Sequence, residues 1–136
     1  MAETYNTNLA AEFHVLSALH RLGADANLTL GNKKSVDIVV VRGAGDTITI
    51  DVKGLAGKTS FPVDNVKKGK ADHFIVLVCF LGKIEDTSVL PEVYVVPSIE
   101  LTSFMYTSPK GRKVIPLSRM RRPEGKKYKD AWPLVI

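Results

Sequence analysis

The chain is 136 residues long, 45% hydrophobic and 24% charged, a balance that suits one packed domain and excludes wholesale disorder. Its net charge of +5 is uneven: nine of its 19 Lys and Arg residues lie from Lys110 onward against Glu124 and Asp130 alone, which fits an anionic partner such as nucleic acid. The longest apolar run, Phe74 to Leu81, falls well short of the ~20 residues that cross a bilayer, and a start without a secretory pattern plus the lone Cys79 predict a cytoplasmic protein with a buried thiol.

Leu9, Phe13, Val15, Leu16, Leu19 and Leu22 follow helical spacing from Asn8 to Leu22, and Gly23 is a natural stop. A short strand is predicted at Asn27 to Leu30. Two β-branched strands follow, Ser35 to Val41 and Thr47 to Lys53, joined by Arg42-Gly43-Ala44-Gly45-Asp46 with hairpin chemistry. Gly54 to Ser60 reads as a flexible loop, and the basic stretch Asp64 to Lys70 as a short helix despite Gly69. His73 to Leu81 reads as a fully buried strand and Glu92 to Val96 as another, ended by Pro97. A brief helix is expected at Ser98 to Phe104. From Tyr106 the chain reads mostly as loop, with a last turn at Lys129 to Trp132. No repeat or linker interrupts this order, so residues 1–136 are expected to form a single α/β domain with a basic C-terminal segment at 110–136.

The chemistry concentrates in the hairpin. Alternation puts Ile48, Ile50 and Val52 on one strand face and Thr47, Thr49, Asp51 and Lys53 on the other. In the preceding strand Val36, Ile38 and Val40 share a face, opposite Asp37, Val39 and Val41. Both apolar sets reach one core only if even-numbered residues pair with even-numbered ones, and a three- or five-residue loop centred on Ala44 gives that parity. Asp37 then lies across from Asp51, with Lys53 two residues along. Directly opposed side chains sit ~4.5–5.5 Å apart at Cβ, where like charges repel. A hard divalent cation held by oxygen ligands would offset that repulsion, and magnesium commonly takes one or two carboxylates. On the helix, Glu12 falls amid Leu9, Val15, Leu16 and Leu19, where an unpartnered carboxylate is costly.

A glutamate on the first helix, an aspartate on one strand and Asp-x-Lys on the next make one ordered set. With Glu12, Ser35-Val36-Asp37 and Ile50-Asp51-Val52-Lys53, the chain resembles the PD-(D/E)XK nuclease superfamily over roughly residues 8–97. His73 to Val78 and Val93 to Ser98 resemble later core strands of its small members. No proline precedes Asp37, and aspartate stands at 51 where glutamate is commoner. The resemblance implies a restriction-endonuclease-like core, a central mixed β-sheet flanked by α-helices. It also implies an endonuclease that hydrolyses phosphodiester bonds with Mg2+, or Mn2+ in its place, in DNA rather than RNA. Asp37, Asp51 and the Val52 carbonyl would hold the metal, and Glu12 would ligate it through water or bind a second ion. Lys53 would orient or deprotonate the attacking water and stabilise developing charge. Lys67, Lys68 and Lys70 are candidates for the helix residue that often assists in the family. Cutting both strands of a duplex with two such sites would make the chain a homodimer.

Plainer readings stand beside these. Asp37, Asp51 and Lys53 could form a solvated sheet face with a surface ion pair, and Glu12 could roll out to water. Lys110-Gly111-Arg112-Lys113 and Arg119-Met120-Arg121-Arg122 are either phosphate contacts, which would make binding salt-dependent, or a solvated tail. His14 and His20 lack a close metal-ligand partner, His73 reads as a strand-edge residue, and Trp132 as an apolar clasp. Gly54 to Thr59 lacks the full phosphate-loop spacing. The rival function is a non-catalytic nucleic-acid-binding or assembly module that keeps the nuclease fold.

Overall fold

Asn6 opens the first helix: its side-chain oxygen accepts the Leu9 amide at 2.9 Å, and α1 runs Thr7–Arg21. Gly23, at φ +81°, ends it, and the amides of Gly23 and Ala24 turn back to the His20 and Leu19 carbonyls. The computed structural model describes residues 6–29, 37–64, 66 and 69–136. After α1 come β1 (Asp25–Leu28), β2 (Ile38–Val41), β3 (Thr47–Leu55), β4 (Ser60–Pro62), β5 (His73–Cys79) and β6 (Glu92–Pro97). A 3-10 helix, Ser98–Phe104, leads to β7 (Tyr106–Thr107), β8 (Lys113–Pro116), α2 (Leu117–Met120), α3 (Pro123–Lys126) and a final 3-10 turn, Trp132–Leu134.

The expected mixed sheet is present. Five strands run in the order β1-β2-β3-β5-β6, with β3 and β5 parallel and the other pairs antiparallel. A second, three-stranded antiparallel sheet has the order β4-β8-β7. The anticipated hairpin parity also holds, with Ile38 opposite Ile50 and Val41 opposite Thr47. Ile38, Val40, Ile48, Ile50, Val52, Val76 and Val95 bury one face of the large sheet against Ala11, Val15 and Leu19 of α1. Ile75, Leu77, Cys79, Tyr94 and Val96 bury part of the other face against Phe61, Leu101, Ile115, Leu117 and Met120. The sheet is therefore covered by a long helix on one side, and by the small sheet and short helices on the other. Among the described residues no helix is long and apolar enough to cross a membrane.

Several boundaries differ from the sequence reading. β1 begins at Asp25 rather than Asn27, because Ala26 is buried and its carbonyl lies 2.8 Å from His20 Nε2. Gly54 and Leu55 extend β3 along β5 instead of starting a loop, and Ser60 already belongs to β4. β5 stops at Cys79; Leu81 and Gly82 then take positive φ, which no strand continues. No helix occupies the described part of 64–70. Gly69 lies against Ser98, where an added Cβ would meet its carbonyl at 2.5 Å, and the Ser98 hydroxyl engages both the amide and the carbonyl of Lys70 at 3.0 Å. Lys67 and Lys68 lie outside the described residues, as do Leu30, Ser35 and Val36.

The largest correction concerns the tail. It is folded and supplies core: Ile115, Leu117, Met120 and Val135 are buried, and Lys129 bridges to Tyr94 on the outer edge of β6. Short strands of mixed composition carry too little periodicity for such a segment to announce itself.

Candidate active site

Asp51 and Lys53 occupy alternate positions of β3 and share the sheet face opposite α1, as alternation requires. Asp51 is only 5% exposed, and Lys53 Nζ lies 3.7 Å from Asp51 Oδ2. Asp37 precedes β2 and departs from the strict ladder expected for it. Its amide donates to the Ile50 carbonyl at 2.8 Å rather than pairing with Asp51. This offset lets the Asp37 carboxylate accept the Val52 amide at 2.7 Å and meet the Asp51 carboxyl at hydrogen-bonding range. The backbone pairing of 37 with 51 is corrected, but the side chains still converge.

Electrostatics mark the pair. Burial, then the hydrogen bond with Asp37, pushes the Asp51 pKa up to about 7, and the Lys53 charge offsets only part of this. Two carboxyl groups sharing one site cannot both ionise cheaply without added positive charge.

Glu12 is placed differently from the expectation. The buried stripe of α1 is Ala11, Val15 and Leu19, and Glu12 sits half-buried at its border, while Phe13 is 51% exposed. Close approach decides this roll. A Cβ on Gly54 would meet the Thr7 carbonyl at 2.9 Å and the Ala11 methyl at 3.2 Å, so at this point the helix docks through Thr7 and Ala11 and leaves Leu9 and Phe13 outside. Glu12 nevertheless faces the site. Burial raises its pKa first, the charge of Asp37 adds to that, and Lys53 opposes it. Among the described residues no group of three or more His, Cys, Asp and Glu side chains is gathered to hold a metal ion. Glu12 therefore stands within electrostatic range of the aspartates without closing a three-carboxylate cluster.

The basic residues divide. Arg112 is held by Asp64, through Nε and Nη2 at 2.8 Å, and the Lys113 amide donates to the same carboxylate at 2.7 Å. Arg119 donates to the Met105 carbonyl at 2.8 Å and stacks over Tyr106. Arg121 makes two hydrogen bonds to Glu92, at 2.8 and 3.0 Å. These three arginines have partners within the fold, although the Arg112 and Arg121 side chains remain largely solvent-accessible. The Lys70, Lys113 and Arg122 side chains stay exposed. Sequence reasoning passed over one pair on the site face: Thr49 Oγ1 lies 2.7 Å from His73 Nδ1. Alternation from Asp51 indicates Thr49, but His73 joins it only through the parallel register of β3 and β5.

No family model matches the chain, and no curated protein sequence does either. Among solved structures it is similar to a bacterial homing endonuclease, I-Ssp6803I, with 24% identity and a TM-score of 0.62. The match covers 99% of this chain and 92% of that one, so the two share one fold over nearly their whole length.

Proposed function

We propose that the chain is an endonuclease of the PD-(D/E)XK type that hydrolyses DNA phosphodiester bonds with a divalent cation. One observation carries this reading: the Asp37 and Asp51 carboxyl groups meet in a nearly closed niche, with the Lys53 ammonium 3.7 Å from Asp51. The likeness in fold to a homing endonuclease supports it independently.

The residues fit a hard cation. Two carboxylates and the Val52 carbonyl are an all-oxygen donor set, and magnesium binds through few protein ligands while keeping waters and substrate oxygens; manganese would substitute. A bound ion would polarise the phosphodiester, acidify the attacking water and relieve the strain between the carboxylates. Asp37 is aimed by the Val52 amide, which fixes one of its oxygens. Asp51 would have to lose its proton to hold such an ion. Lys53, 19% exposed at its side chain, orients the attacking water and stabilises charge growing on the phosphate. Glu12 would ligate the ion through water from the helix side, or bind a second ion.

The test is incubation of plasmid, linear and branched DNA with magnesium or manganese, using wild type, Asp51→Ala and Lys53→Ala. Wild type cuts, and each variant loses at least ~100-fold in rate. Equal rates would end the catalytic reading and leave a non-catalytic module of the same fold.

A further inference from the structure

We infer that His73 is a phosphate-binding residue of this site: Thr49 fixes its ring, Lys70 lies within electrostatic range, and its Nε2–H donates to a nucleic-acid phosphate neighbouring the one cleaved. The inference rests on the nuclease reading and extends it to substrate positioning.

Placement comes first. In the parallel register Thr49 faces His73 and Asp51 faces Ile75. The side-chain hydrogen bond of 2.7 Å puts His73 on the face of Thr49, which alternation makes the face of Asp51 and Lys53. One strand across at ~4.8 Å and two residues along at ~3.3 Å each place His73 roughly 8 Å from Asp51 between Cα atoms. DNA rises ~3.4 Å per nucleotide along its axis, and the winding of the backbone sets successive phosphates of one strand ~6–7 Å apart, so this span is about one phosphate step.

The ring is then half-satisfied. Nδ1 is engaged by the Thr49 hydroxyl, and among the described residues no hydrogen bond reaches Nε2. His73 is 9% exposed, and among the described residues no wholly buried side-chain nitrogen or oxygen lacks a partner. Nε2 is therefore the atom that reaches solvent. Burial, then the Lys70 charge, holds the imidazole toward its neutral form. A neutral ring keeps one N–H, and phosphate oxygens only accept. An anion at Nε2 thus selects the tautomer in which the Thr49 hydroxyl donates to Nδ1 and the outward nitrogen carries the proton.

Lys70 supplies the charge that the neutral ring lacks. Its backbone is pinned at both ends by the Ser98 hydroxyl, at 3.0 Å to its amide and 3.0 Å to its carbonyl. The Asp72 carbonyl accepts the Thr49 amide at 2.9 Å, so the start of β5 is locked to β3. An N–H donor and an ammonium on an anchored backbone, beside a cation seat, suit a phosphodiester better than a metal.

The chain has only three histidines, His14, His20 and His73, so imidazole nitrogen NMR can follow each ring in the intact protein. The probes are inorganic phosphate and a short DNA duplex with calcium in place of magnesium. The His73 Nε2 resonance should move with both while His14 and His20 stay still. His73→Ala should weaken duplex binding ~10- to 100-fold, the range for one hydrogen bond to a charged group, while kcat changes by less than ~3-fold. His73→Gln, whose amide N–H replaces Nε2–H, should recover most of the loss; a merely structural role would show as a lowered Tm in both variants without this rescue. A His73 signal that stays still in the presence of duplex, or a His73→Ala variant that binds like wild type, overturns the assignment. Duplex binding with the shift but without cleavage would sink the nuclease reading and keep the phosphate subsite. Cleavage with a silent His73 would do the reverse.

Discussion

At Glu92, a carboxylate on β6 receives two guanidinium hydrogen bonds from Arg121 and the hydroxyl of Tyr94. At Asp51, a more deeply buried carboxylate on β3 meets a second carboxylate and a lysine at 3.7 Å. Both lie on the same face of one sheet, yet their proton affinities move in opposite directions. Arg121 first, and Tyr94 in support, hold Glu92 below the usual carboxylate range. Burial and Asp37 drive Asp51 up to about 7. A charge whose partners are supplied by the fold itself is a brace. A more deeply buried carboxyl beside a second one lacks that compensation, and it is where the proposed cation would supply positive charge.

The largest expected contrast comes from neutralising each carboxylate. Asp51→Asn should reduce DNA cleavage at least ~100-fold while leaving the protein folded. Glu92→Gln should leave cleavage within ~3-fold but lower Tm by a few degrees, since the Arg121 side of the pair is half exposed and worth about 1 kcal/mol. A Glu92 variant that loses activity at an unchanged Tm would undo the distinction.

pH should separate the two next. Without divalent ion, Asp51 takes up a proton on folding between its unfolded value of ~3.9 and about 7. Its contribution therefore makes stability fall as pH rises across that window, by on the order of a few kcal/mol. The Glu92 contribution runs the other way: it is present above the unfolded carboxylate pKa and fades as pH falls through the lowered folded value. Denaturant unfolding of wild type and Asp51→Asn at a series of pH values tests this, because the variant should lose the downward slope. Magnesium affinity, measured by calorimetry, should weaken below pH ~7 with a proton released per ion bound.

A smaller effect is expected at the helix contact. Gly54→Ala would force its methyl into the Thr7 carbonyl and Ala11, costing ~1–3 kcal/mol and shifting Glu12 away from the aspartates. The resulting rate loss should exceed the loss in a variant equally destabilised by a core change on the Phe61 side. The smallest effect concerns the basic segment. Removing residues from Lys110 onward would delete buried Ile115, Leu117 and Met120, so charge must be changed singly. Lys113→Gln and Arg122→Gln should each lower the salt slope of DNA binding by about one, whereas Arg121→Gln should change stability instead.

What could be read before the structure follows from local periodicity. The alternation of Thr47 to Lys53 was enough to put Asp51 and Lys53 together, because a strand's period of two is a backbone property. The hairpin loop and its two flanking apolar sets were enough to set the parity of β2 against β3, because a slip of one residue would expose every valine and isoleucine. Glu12 could be marked as anomalous, but its surrounding stripe included Leu9, and the helical spacing included Phe13. Both are exposed, since contact with β3 is made through Ala11 against Gly54.

Long-range pairing decided the rest. The parallel alignment of β3 and β5 brought His73 beside Thr49, and nothing local encodes that register across a separation of 24 positions. Asp64, Glu92 and the Met105 carbonyl gave Arg112, Arg121 and Arg119 partners within the fold, which a one-dimensional charge count cannot foresee. The tail became core because apolar residues spaced too irregularly to signal a helix or strand found a buried face already made by β5 and β6. Sequence alone determined which side chains share a strand face, since that is a property of the chain's own geometry. Tertiary structure decided which of its charges are satisfied, since that depends on partners far away in the sequence.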